Sequence, residues 1–163
     1  CILPAGAFAG LFVGTDMMTG APANYIIDAS KLVFPTTTLA DNCYYYMFYN
    51  CTSLVNVPNI LPATTLAESC YESMFRDCTS LVTAPVLPAT TLAEGCYDSM
   101  FDGCILLSNI TMLATDISAS VCLNSWTLNV APNGTFYKHP SMTSLTTGPE
   151  GIPSGWDIVD YAA

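Results

Sequence analysis

Apolar and polar positions along this chain recur in blocks. Leu66, Cys70 and Met74 stand at i, i+4 and i+8, the spacing of one apolar stripe on a short helix. Thr65-Leu66-Ala67-Glu68 opens that stretch as a capping box, as does Thr91-Leu92-Ala93-Glu94, and Thr38-Leu39-Ala40-Asp41 is a weaker version. Asn50, Asp77 and Gly103 then supply residue types that accept a left-handed backbone, so each helix is expected to stop there. Next come "SLVNVP", "SLVTAP" and "LLSNIT", short and β-prone, which predict one brief strand per block. Leu54, Leu81 and Leu107 should point inward with Val57, Ala84 and Ile110. Val55, Asn56, Val82, Thr83, Ser108 and Asn109 should point outward.

The blocks are copies of one another. Cys43, Cys70, Cys96 and Cys122 are spaced 27, 26 and 26 residues apart, and Cys51, Cys78 and Cys104 follow in step. Tyr44/Tyr71/Tyr97, Met47/Met74/Met100 and Phe48/Phe75/Phe101 recur between them. The one extra residue of the first unit lies in "PNILP", against "PVLP" in the next, which suggests a loop. The expected organisation is a single repeat domain over residues 1–163. A degenerate N-terminal repeat with an insertion fills 1–33, three repeats 34–112, a degenerate repeat 113–131, and a β-rich C-terminal cap 132–163. Strands pair about 4.8 Å apart and helices about 8–10 Å, so a stack of strand-plus-helix units should curve with its strands on the concave side. The fold class expected is therefore an α/β solenoid of short helices and short parallel strands. "PNGTF" (Pro132 to Phe136) reads as a hairpin turn that helps close the last repeat's edge.

The phrase C-Y-x-x-M-F-x-x-C-T-S-L, with A-P and L-P-A-T-T-L-A after it, resembles the BspA-type leucine-rich-repeat surface proteins of gut Bacteroides and related bacteria. The terminal segment from Gly134 to Tyr161 is similar to a module that closes many such proteins, some of them carried by gut phages. That resemblance implies a right-handed leucine-rich-repeat superhelix, a secreted or cell-surface location, and adhesion or recognition without catalysis. It fixes no ligand and no binding residues.

Charge narrows the partners. Thirteen Asp and Glu face three Lys and Arg, a net charge of −10, which disfavours nucleic acid and anionic lipid. No apolar run approaches the roughly 18 residues of a transmembrane helix. The expected partner is a host or bacterial surface protein or glycan, with no nucleic acid and no membrane insertion. Cys1 would suit a lipidated N-terminus, yet Leu3 already belongs to the first repeat and leaves no linker. The location expected is thus extracellular or on the cell surface, lipid-anchored or not, with a virion as the alternative.

Catalytic chemistry finds little footing. The chain has one histidine, His139, no Cys-x-x-Cys pair, no nucleophile–base spacing and no Gly-rich phosphate loop, so no enzyme activity, cofactor or metal is expected. Glu94, Asp98 and Asp102 read as a solvated helix face, with a Ca²⁺ ladder as the alternative. The eight cysteines read as buried free thiols filling a repeated core slot, with intra-unit disulfides as the alternative. Candidate binding residues are the outward strand positions above and the tyrosines of "YYYMFY". Tyr45 and Tyr49 stand where later units have Glu72 and Arg76, then Asp98 and Asp102, with Tyr46 beside them. They serve either as a platform for a sugar or protein or as a surface covered by Tyr25-Ile26-Ile27. The functional expectation is a non-enzymatic adhesion or recognition module; the alternative is a phage receptor-binding component.

Overall fold

The computed structural model describes residues 3–14 and 26–162. It overturns the expected fold. The described residues contain no helix and three short strands, so this is not an α/β leucine-rich-repeat solenoid, and that expectation is withdrawn along with its right-handed superhelix. Each stretch read as a helix is a ribbon of consecutive tight turns. In the unit around Cys70, the N–H groups of Cys70, Glu72, Met74, Arg76 and Cys78 bond to carbonyls three residues back. Those between them turn outward: Ser69, Tyr71, Ser73, Phe75 and Asp77 donate to Glu94, Cys96, Asp98, Met100 and Asp102 of the next unit, at 2.8–3.1 Å. A helix would have kept all of these bonds to itself.

The backbone achieves this by turning left-handed at every fourth residue. Ser69, Ser73 and Asp77 have φ of 49°, 53° and 60°; Gly95, Ser99 and Gly103 occupy the same places one unit on. These are small or turn-forming residues, with weak claims on a helix interior and tolerance of positive φ. Asn50, Asp77 and Gly103 are left-handed as expected, but each is the last of three such residues in its unit rather than a helix stop. Thr38, Thr65 and Thr91 cap nothing; they form isolated bridges, Thr38 to Thr65 and Thr91 to Asp116. Val121 occupies this left-handed position at φ 47°, where a β-branched side chain is strained. Val121→Gly is expected to stabilise the protein by about 1 kcal/mol in urea unfolding, since Val121 is also exposed and gives up little packing.

Period four also decides what is inside. Cys70, Met74 and Cys78 line one buried row and Tyr71 and Phe75 the next, all at most 1% exposed. Successive units lie a backbone hydrogen bond apart on this side, so aromatic rings stack directly. Phe12, Phe48, Phe75 and Phe101 form one column with centroids 5.3–5.8 Å apart and planes within 14°. Phe8, Tyr44, Tyr71, Tyr97 and Trp126 form a second. The spacing mismatch that would have bent the stack is absent, because the ribbon face has strand-like spacing too.

At the C-terminal end, β1 (Asn109–Met112), β2 (Thr135–Lys138) and β3 (Asp157–Asp160) form one parallel sheet in that order. The turn at Pro132 therefore leads into a parallel strand, not the expected hairpin: Phe136 pairs with Ile110 and Ile158. Trp126 and Trp156 are buried and tie the cap down, donating Nε1–H to the Gly151 and Ala131 carbonyls at 2.8 and 2.7 Å. The outer strand β3 is exposed along its length and carries Asp157 and Asp160 at its ends, charges that discourage edge pairing.

Candidate functional site

The seven described cysteines are free and buried, so no intra-unit bridge forms among them; Cys1 lies outside the described residues. Three have a more specific role than core filler. Cys51, Cys78 and Cys104 aim Sγ at the carbonyls of Phe12, Phe48 and Phe75, one unit back, at 2.8, 3.1 and 3.0 Å. Each thiol closes the ribbon where the chain leaves it. Burial pushes the Cys51 and Cys70 thiols up to about 12 and those of Cys78, Cys96 and Cys104 up as well, so these are structural groups, not nucleophiles.

In the acidic row Asp98 and Asp102 are tied into the stack, while Glu94 is exposed. Asn124 donates to Asp98 at 3.1 Å and Asn129 to Asp102 at 3.2 Å, while Arg76 Nε lies 3.3 Å from Asp102 Oδ2 in an ion pair too oblique for a hydrogen bond. Burial raises the Asp77 carboxyl, with Arg76 opposing the rise and Asp102 adding to it. Among the described residues, no three His, Cys, Asp or Glu side chains converge as a metal site.

Tyr45, Tyr46 and Tyr49 come together on the outside of the first full ribbon. All three are half-buried, with ring centroids 4.2 Å apart for Tyr45 and Tyr46 and 5.0 Å for Tyr46 and Tyr49. Partial burial, then the hydrogen bond between the Tyr45 and Tyr46 hydroxyls, which holds the Tyr45 proton, push Tyr45 up to about 12, and Glu72 and Asp98 add to the rise. Tyr25 lies outside the described residues. The described remainder of that segment runs elsewhere: Ile27 accepts from the Val55 N–H, and Asp28 bridges Asn56.

Tyr46 is the residue that sequence reasoning undervalued. It holds φ 55° in the left-handed place that Gly10, Ser73, Ser99 and Ser125 fill in the other units. An L-residue with a bulky ring costs about 1–2 kcal/mol there. The signal was present in the sequence, since Tyr46 aligns with Ser73 and Ser99, but the demand for positive φ at that place was not.

The outward strand positions form a second surface. Val55, Asn56, Val82 and Thr83 are exposed, and with half-buried Asn109 they line a groove of about 350 Å³. Ser108 is half-buried and lies outside the groove, its N–H bonded to Val82 and its carbonyl to Thr135. No protein-family model matches the chain, and comparison with curated proteins and with solved structures yields no match. These two surfaces, and the stack that presents them, are what bears on function.

Proposed function

We propose that the chain is a non-enzymatic recognition module that binds a protein or glycan at the Tyr45–Tyr46–Tyr49 cluster. The observation that carries this reading is Tyr46, a bulky aromatic held in a left-handed position that sibling units give to serine or glycine. Strain kept at a surface cluster of rings points to use. Tyrosines suit the task because each joins apolar area to a hydroxyl and loses little side-chain entropy on binding. The stack beneath supplies rigidity: five backbone bonds, from Asn42, Tyr44, Tyr46, Phe48 and Asn50, tie this ribbon to the next. The likeness of the repeat phrase to BspA-type surface proteins supports a cell-surface or secreted setting.

Tyr46→Ser is the sharpest test, because it restores the residue that neighbouring units use. On a glycan array and against immobilised mucin, the variant is expected to bind at least about ten-fold more weakly while its melting temperature holds or rises. Tyr45→Ala and Tyr49→Ala should weaken binding likewise. Retention of full binding by all three would remove the cluster from the reading.

A further inference from the structure

The strand row carries one gap. Asp28 bridges Asn56, Thr83 bridges Asn109, and β1, β2 and β3 continue the row, but no backbone hydrogen bond joins Val55–Val57 to Val82–Ala84. Among the described residues, the N–H groups of Val57 and Thr83 have no partner. Both ends of the gap are closed. On one side Ser80 Oγ donates to the Thr52 carbonyl at 2.6 Å; on the other Val86 N–H donates to Asn59 and Leu61 N–H to Val86, at 2.8 and 3.1 Å.

Beside the gap lies the extra residue of the first unit. Cys51 and Cys78 are 27 apart, yet Ile60 bridges Val86, only 26 on, so Asn59 is a bulge in the backbone row. Just before it, the strand at Asn56 leans on Asp28, through the bridge and through Asn56 Nδ2 to Asp28 Oδ2 at 3.3 Å. The strand is thus held to one neighbour and parted from the other. The result is the groove of about 350 Å³, near the lower end of small-molecule sites.

We propose that this slot binds one uncharged glycosyl unit. None of its described lining residues carries a charge, which disfavours an anionic or cationic ligand. Its walls alternate Val55 and Val82 with Asn56, Thr83, Asn109 and Thr111, apolar patches for the C–H face of a pyranose and amides and hydroxyls for its oxygens. Free backbone donors at Val57 and Thr83 add directional contacts to hydroxyl groups. An extended peptide does not fit as a strand, because the closed ends leave it no way through. This site goes beyond the tyrosine cluster and shares no residue with it.

The test is titration of the isotope-labelled chain with neutral sugars (glucose, galactose, N-acetylglucosamine and their short oligomers), with sialylated and sulfated oligosaccharides as controls. At least one neutral sugar is expected to shift the methyl resonances of Val55 and Val82. The shift should be unchanged between about pH 5.5 and pH 8, since no titratable side chain lines the slot. Thr83→Phe fills the slot from an exposed position, and deletion of Asn59 returns the first unit to a 26-residue step; each should weaken binding at least about ten-fold. Tyr46→Ser should leave these shifts intact. The proposal fails if no neutral sugar moves those methyls, if only the anionic controls do, or if the shifts survive Thr83→Phe in a variant that melts like the parent. Binding lost in Tyr46→Ser but kept in Thr83→Phe would overturn the slot and leave the tyrosine reading standing.

Discussion

Between about pH 9 and pH 11 the protein is expected to unfold cooperatively. The cause is two columns of thiols, Cys70 with Cys96 and Cys78 with Cys104, all fully buried. Burial raises each of them, Cys70 to about 12, so the folded protein holds them protonated. The unfolded chain releases those protons once pH passes the ordinary thiol range near 9. Above that range the unfolded state binds fewer protons, so stability falls as pH rises, and the loss continues until pH reaches the folded-state values. Each thiol removes on the order of 1.4 kcal/mol per pH unit in that window. Four of them remove roughly 5–6 kcal/mol by pH 10, comparable with the whole stability of an ordinary domain. Tyr71 and Tyr97, also pushed up by burial, join above about pH 10. Circular dichroism and tryptophan fluorescence across an alkaline titration, with return below pH 8 to test reversal, measure this. A fold that keeps its signal through pH 11 contradicts it.

Removal of the ring that ends the aromatic column should be nearly as damaging. Trp126 is fully buried; its ring lies 6.3 Å from Tyr97, 6.1 Å from Phe101 and edge-on to Phe136. Its Nε1–H also satisfies the Gly151 carbonyl, so one side chain joins the repeats to the terminal sheet. Trp126→Ala leaves a large cavity and an unpaired carbonyl, an expected loss of about 3–5 kcal/mol. For a chain of this length that is a fall in melting temperature of roughly 10–15 °C. Trp126→Phe keeps most of the ring and loses the hydrogen bond, so it should cost about 1–2 kcal/mol. Equal melting temperatures for the two variants would show that the cavity, and with it the ring stack, counts for little.

The helix expectation failed for a reason that particular residues make clear. Leu66, Cys70 and Met74 at i, i+4 and i+8 drift only 80° around a helix, inside the width of an ordinary apolar stripe. Three such positions therefore fit a helix and a four-residue turn ribbon equally well. Ser69, Ser73 and Asp77, then Gly95, Ser99 and Gly103, carry the distinguishing signal: a small or turn-forming residue at every fourth place. Of the candidate site, the odd tyrosines of the first unit and the extra residue in "PNILP" were legible as departures from the repeat. The strain at Tyr46 and the gap beside Asn59 were not, because both depend on what the neighbouring unit offers.

Sequence alone determined most of the residues that face inward and the period of the units. Cys, Tyr, Met and Phe recur in step, and a unit that cannot bury its own apolar face must lay it against a copy of itself. Tertiary structure alone decided what each unit is. Tyr71, Ser73 and Phe75 donate their N–H groups either back along their own helix or across to Cys96, Asp98 and Met100, and nothing local chooses between these. The choice is made between units, where the carbonyls of one ribbon, its stacked rings and the donors of the next satisfy one another at a single spacing.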